Sequence, residues 1–227
     1  MGLMINNDLG FVLRRFLPEK QKFSVLSRHQ GKINLTVSSL HNCLRIWPGS
    51  LISYSLPSLQ YAKTYQKHGV QKSVHCIDDA IDILYVPQVS TGHKLTWVHS
   101  LLEVCYYFFP LEQPCSEVFE LLSNALRLIV NIDILRYELL LRKICMVQLL
   151  SYAGSVPPPQ FCELLRLFTL VCGQAVDESE WAKIELTKIC LSYKTDELFK
   201  ALDHWILTAL KTHPNFNYFK AVHFVRS

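Results

Sequence analysis

The sequence predicts an α+β chain in two parts, a β-rich module over residues 1–76 followed by an all-α helical bundle over residues 77–227. Three observations carry this expectation. Apolar residues alternate with polar ones in the first third and then recur at helical spacing. Turn-forming residues interrupt the first part at short intervals, whereas later prolines separate long periodic runs. The charge divides in the same way. Up to residue 75 there are ten Lys and Arg against only Asp8 and Glu19, a surplus of +8, while the remainder holds 13 bases and 17 acids. Such a split predicts two functional halves, the first facing something anionic.

In chain order, Phe11–Phe16 is a short apolar and basic run, and Leu17-Pro18-Glu19-Lys20 a connection. A strand is expected over Lys22–Ser27, with Phe23 and Val25 on one face. Arg28-His29-Gln30-Gly31 reads as a turn in which Gly31 takes positive φ. Lys32–Val37 then alternates, predicting Ile33, Leu35 and Val37 inward and Lys32, Asn34 and Thr36 outward. Pro48-Gly49 marks a turn, Leu51–Leu56 a further strand, and one or two weaker strands are expected between Leu59 and Val74. Five short strands with basic outward positions suit a small closed barrel of the OB type.

After Cys76, Asp78, Asp79 and Asp82 arrive together and helical spacing is expected to begin. Helices are predicted over His93–Phe109, stopped by Pro110, and from Pro114 to about Val130. A third is predicted from an Asp133 N-cap to Ala153, ended by Gly154, and its apolar residues all round place it at the centre of a bundle. Helices over Gln160–Val171, Glu178–Leu191 and Asp196–Lys211 complete the set.

Half the residues are hydrophobic, enough for a core and too many for a disordered chain. Residues Ile134–Leu150 are the most apolar run, but Arg136, Glu138, Arg142, Lys143 and Gln148 interrupt it, so no membrane span is expected. Met1–Asn7 has no basic region before an apolar run, and the expected location is the cytoplasm. The eight cysteines form no CxxC pair and read as reduced, buried thiols.

No GxSxG, GxxxxGK[ST], GxGxxG or HExxH motif is present, so no enzyme is expected and no cofactor or small-molecule substrate. His75, Cys76, Asp78 and Asp79 lie close together but lack the spacing of a metal-ligand set, and they read as a domain boundary. No metal site is predicted.

The informative residues are Arg14, Arg15, Lys20, Lys22, Arg28, Lys32 and Arg45, seven cations in one small module. Neutralising phosphates requires such charges on one surface and gives salt-dependent, sequence-tolerant binding. Phe16, Phe23, Trp47, Tyr54, Tyr61 and Tyr65 are interleaved with them, and any that are exposed could stack on bases of a single strand. The competing reading is a solvated face above an aromatic core. A nucleic-acid interface requires Arg14, Arg15, Lys22 and Arg28 to share a face.

At these residues the sequence resembles the RecO family of bacterial recombination mediators. The likeness is carried by Phe23–Ile33, by Arg45 followed by Trp47-Pro48-Gly49, and by Tyr106–Pro114 leading into Glu117–Leu122. It continues through Arg136–Arg142 to Tyr152-Ala153-Gly154, and spans about residues 8–155 in order. The resemblance implies an N-terminal OB-fold, a helical domain and no enzymatic turnover. It further implies binding of single- and double-stranded DNA, annealing of complementary strands, and partnership with a RecR-like protein and the C-terminal tail of single-strand-binding protein.

Two departures stand out. Many relatives carry a four-cysteine zinc module, but here only Cys162 and Cys172 fall in that region and no zinc is expected. The family's C-terminal motif is poorly matched by His213–Lys220. An acidic, aromatic-ended tail calls for an apolar groove with cations beside it, for which Arg127, Arg136, Arg142 and Lys143 are the candidates. Intrahelical pairing, such as Glu138 with Arg142, is the competing reading there. The rival to the whole assignment is a non-catalytic interaction adaptor whose barrel does not bind DNA.

Overall fold

The computed structural model describes residues 7–16, 21–37, 40–55, 62–67, 70–77, 81–88, 91–131, 135–173 and 195–219. The chain has the expected α+β class, with strands first and helices after. It divides into two compact units, Met1–Gln88 with Cys105–Phe119, and Val89–Val104 with Glu120–Ser227. The division therefore differs from the 76/77 boundary read from the sequence. Residues 81–85, expected to be helical, form a strand that joins the sheet, and the segment 105–119 returns to the first unit.

The first unit is one seven-stranded sheet. Its strands are β1 (Asn7–Arg15), β2 (Lys22–Ser27), β3 (Gly31–Val37), β4 (Leu51–Ser55), β5 (Ala62–Lys67), β6 (Val70–Ile77) and β7 (Ile81–Tyr85). A short helix, α1 (Leu40–Arg45), which the sequence reading did not anticipate, lies between β3 and β4. The spatial order is β5-β6-β3-β2-β1-β4-β7. Every neighbouring pair is antiparallel except β3 and β6, which run parallel from Leu35↔His75 to Val37↔Ile77.

One sheet face builds the core predicted from alternation. Val12, Phe23, Val25, Ile33, Leu35, Val37, Ile52, Tyr54 and Ile77 cluster there with Cys43 and Ile46. The opposite face departs from the prediction. Lys32 and Asn34 were expected outward but are 9% and 8% exposed. At Lys32 the cause is the segment 105–119. The Glu112 amide donates to the Lys32 carbonyl at 2.8 Å, and Lys32 bridges Leu111 in parallel. Nearby, the Phe11 and Phe119 rings pack with centroids 5.1 Å apart. Gly31 takes the positive φ expected of it, +74°, and a Cβ there would meet the Gln113 carbonyl oxygen at 1.9 Å.

The helices are α2 (Gly92–Phe108), α3 (Ser116–Asn131), α4 (Leu135–Tyr152), α5 (Cys162–Gly173) and α6 (Thr195–Lys211). They match the predicted spans to within a few residues, and Gly154 ends α4 at φ +97° as expected. The predicted N-cap at Asp133 and helix at Glu178–Leu191 lie outside the described residues. In the second unit α4 is the central helix. Leu140, Leu141, Ile144, Cys145, Met146, Val147, Leu149 and Leu150 are all buried, so its all-round apolar pattern buries all round. Among the described residues no helix is long and apolar enough to cross a membrane.

Gly31→Ala adds a methyl group where backbone already stands, at a φ that alanine resists. Overpacking and left-handed strain together should cost more than about 2 kcal/mol. Urea unfolding followed by circular dichroism should show a correspondingly lower midpoint. A midpoint within error of the parent protein contradicts the close approach of Gln113.

Candidate nucleic-acid interface

The hairpin of β1 and β2 gathers cations at the end where its two strands are connected. Arg15 pairs with Phe23 and Arg14 with Ser24 across the two strands, and a bulge falls between Val12 and Arg14. The Phe16 amide donates to the Lys22 carbonyl at 3.0 Å and closes this end. The Phe16 ring stands between two cations. The Arg14 Cζ lies 5.4 Å from its centroid and the Lys22 Nζ 5.2 Å. Arg14 also lies 5.1 Å from the Tyr106 centroid. Arg15 points elsewhere, with its Cζ 5.7 Å from the Trp47 centroid. Such pairs contribute about 0.5–1 kcal/mol each at exposed sites and fix where the charges are presented.

The structure thus brings Arg14 and Lys22 together on Phe16, places Arg15 at the same hairpin end but on Trp47, and separates other members of the predicted set. Arg28 is exposed but sits at the far end of β2, in the turn whose Ser27 pairs with Gly10. It therefore does not share the surface of Arg14 and Lys22, and the single face expected of Arg14, Arg15, Lys22 and Arg28 is not formed; the cations that stay together are those of the hairpin end. Arg45 is exposed at the end of α1, where it lines a shallow cleft with Ile46, Ile81, Asp82 and Ile83. Lys20 lies outside the described residues.

Lys32 has a different role from the one predicted. Its ammonium donates to the Tyr106 carbonyl in the last turn of α2 and lies 5.2 Å from the Tyr106 ring centroid. Carbonyls of a final helical turn lack intrahelical donors and carry partial negative charge, so a cation there is favourable. Burial lowers the Lys32 ammonium from 10.5 to about 8, with the neighbouring Cys105 opposing that shift. The same burial pushes the Cys105 thiol up to about 12.

The aromatics sort clearly. Phe23 and Tyr54 are core, each 1% exposed, whereas Trp47 is 58% exposed and Phe16 is half-buried. Tyr61 and the side chain of Tyr65 lie outside what is described.

Asp8 is the one acid on β1–β4. Its carboxylate is 5% exposed and accepts from the Ser27 hydroxyl, the Leu9 amide at 2.8 Å, His29 Nδ1 at 2.9 Å and the Tyr54 hydroxyl at 3.4 Å. Burial pushes the Tyr54 hydroxyl well up. The Ser27 hydroxyl accepts from the His29 and Gln30 amides at 3.2 and 2.9 Å, while the imidazole bonds the acid and not the serine, so this is an anchor for the β2–β3 turn and not a nucleophile–base pair. Among the described residues no group of His, Cys, Asp and Glu could hold a metal ion.

With the observed boundaries the charge surplus of the first unit shrinks, because Asp78, Asp79, Asp82, Glu112 and Glu117 join it. It then holds ten bases and seven acids. The cationic character is therefore local to the β1–β2 hairpin end.

In the second unit the four predicted cations do not line one open groove. Lys143 pairs with Asp203 of α6 at 2.5 Å and lies 5.6 Å from the Phe199 centroid. Burial raises the Asp203 carboxyl and Lys143 counters it. Arg142 is 9% exposed, and burial lowers its guanidinium while Glu138, one turn earlier, counters it. Arg127 is exposed and donates to Asn124 on its own helix. The side chain of Arg136 lies outside what is described. In the tail, Phe219 is buried against His213 and Phe216.

Residues 89–211 match the family model for the C-terminal part of recombination protein O, which is just over half of the chain. No curated protein matches the sequence.

Lys32 releases its proton at about 8 when folded and at 10.5 otherwise. Between those values the unfolded state holds more protons at this position, so the contribution of Lys32 to stability rises with pH. The stability of the parent protein relative to Lys32→Met, from urea unfolding, should therefore increase from pH 8 to pH 10. Cys105 acts in the opposite sense, but both proteins carry it. A difference that stays flat contradicts the buried ammonium.

Proposed function

The chain belongs to the recombination protein O family, with that family's role in DNA repair and recombination, and from this premise we propose that it is a mediator that binds single- and double-stranded DNA and anneals complementary strands. The observation that carries the reading is the gathering of Arg14, Arg15 and Lys22 around Phe16 and Trp47 at one end of the β1–β2 hairpin. Guanidinium groups match phosphate oxygens bidentately, and counterion release on contact drives binding without regard to sequence. A surface that neutralises phosphates lowers the repulsion between two strands held on it, which favours their pairing.

The strand pairing supports an OB-type reading of the first unit. A three-stranded meander, β1-β2-β3, is followed by a hairpin, β5-β6, whose last strand runs parallel to β3, and β4 pairs with β1. Sheets of this kind present strands and connecting loops to oligonucleotides. The chain works by binding, not turnover, in the cytoplasm. The helical unit is the docking region for a RecR-like protein and for the acidic tail of single-strand-binding protein, with Arg127 as the exposed cation on α3.

Fluorescence anisotropy with a labelled single strand, at low and moderate salt, tests this. Binding should weaken steeply with salt. Arg14→Glu/Arg15→Glu should lower the slope of log affinity against log salt by about 1.4, because each lost phosphate contact on a single strand removes about 0.7. It should also weaken binding by more than about tenfold and abolish annealing. Absence of binding by the parent protein even at low salt overturns the reading in favour of a protein-interaction adaptor.

A further inference from the structure

Trp47 is 58% exposed, which is uncommon for so large an apolar side chain in a unit that buries Phe23 and Tyr54 almost fully. Its position is fixed by the backbone. Pro48 and Gly49, the latter at φ +88°, follow it, and the Ser50 amide donates to the Trp47 carbonyl at 3.0 Å. Proline followed by a residue of positive φ is the pattern of a tight type II turn. That turn is locked to β1, since the Gly49 amide donates to the Val12 carbonyl at 2.7 Å and the Val12 amide to the Ser50 carbonyl at 2.9 Å. A rigid turn therefore holds a large aromatic ring out in solvent, with the Arg15 guanidinium 5.7 Å from its centroid.

We infer that Trp47 is a stacking platform for an unpaired base, with Arg15 beside it for the adjoining phosphate, and that this subsite makes the protein prefer single-stranded over duplex DNA. The inference rests on the DNA-binding reading given above and adds a division of labour to it. Arg14 and Lys22, packed on Phe16, contact phosphates, which a duplex and a single strand both offer. Trp47 contacts the π-face of a base, which only an unpaired strand exposes outside the helix stack. A protein partner's apolar side chain is the competing occupant. The adjoining guanidinium and the cationic hairpin end favour the anionic one.

The full chain and its Trp47→Ala and Trp47→Phe variants are to be titrated with an oligo(dT) strand and with a hairpin duplex of equal phosphate number. Trp47→Ala should bind the single strand roughly tenfold more weakly, leave duplex affinity within about twofold, and keep the salt slope. Trp47→Phe should recover most of the single-strand affinity, because a phenyl ring still stacks. Tryptophan emission of the parent protein should be quenched by oligo(dT), and that quenching should be smaller in Trp47→Phe, since Trp97 is buried and Trp205 packs against Phe161. Salt-sensitive binding that Trp47→Ala leaves unchanged, or equal weakening on both DNAs, overturns this inference while the DNA-binding reading stands. Loss of all binding by the parent protein overturns both.

Discussion

The first unit depends on the contact between the β2–β3 turn and residues 105–119. Three interactions coincide there: the backbone of Lys32 pairs with Leu111 and Glu112, the Lys32 ammonium donates to the Tyr106 carbonyl in the last turn of α2, and Gly31 leaves room for Gln113. Burying an ammonium is costly, and burial shows in its lowered proton affinity. The cost is offset because a helix end with unsatisfied carbonyls and an aromatic face meet it. A lysine that stripe logic assigns to solvent thus becomes a clamp.

That clamp also determines what the sheet can offer to a ligand. With residues 105–119 laid along the β2–β3 end, the Phe11 and Lys32 positions are closed. The connected end of the β1–β2 hairpin keeps its charges. Arg14 and Arg15 are successive residues of a strand, so their side chains leave in different directions, one to Phe16 and Tyr106 and the other to Trp47. Two cation–aromatic pairs therefore flank one strand end, an arrangement suited to a flexible strand that wraps an edge.

In the helical unit the charges serve the fold. Lys143 and Asp203 join α4 to α6, and Glu138 and Arg142 lie buried one turn apart on the most apolar helix. Removing one partner of such a pair leaves the other buried and uncompensated, which is why these positions are structural rather than available for docking.

The sequence by itself determined the α+β class, the strand alternation of β2 and β3, the helix spans with their proline and glycine stops, and the cationic bias of the first 75 residues. Each is a local property, legible because side-chain periodicity, turn residues and charge counts need no knowledge of distant contacts. The family likeness was legible for the same reason. Only the tertiary structure decided which cations stay at the surface. Lys32 and Lys143 look the same as Lys22 in the sequence, and what separates them is a partner many positions away: the Tyr106 carbonyl for Lys32, Asp203 for Lys143. Tertiary pairing also turned residues 81–85 into a strand, because the ladder with β4 outweighed a pattern too short to specify a period. It set the exposure of Trp47 against the burial of Tyr54, since Tyr54 packs into the core cluster from β4 and Trp47 stands on the turn that precedes that strand.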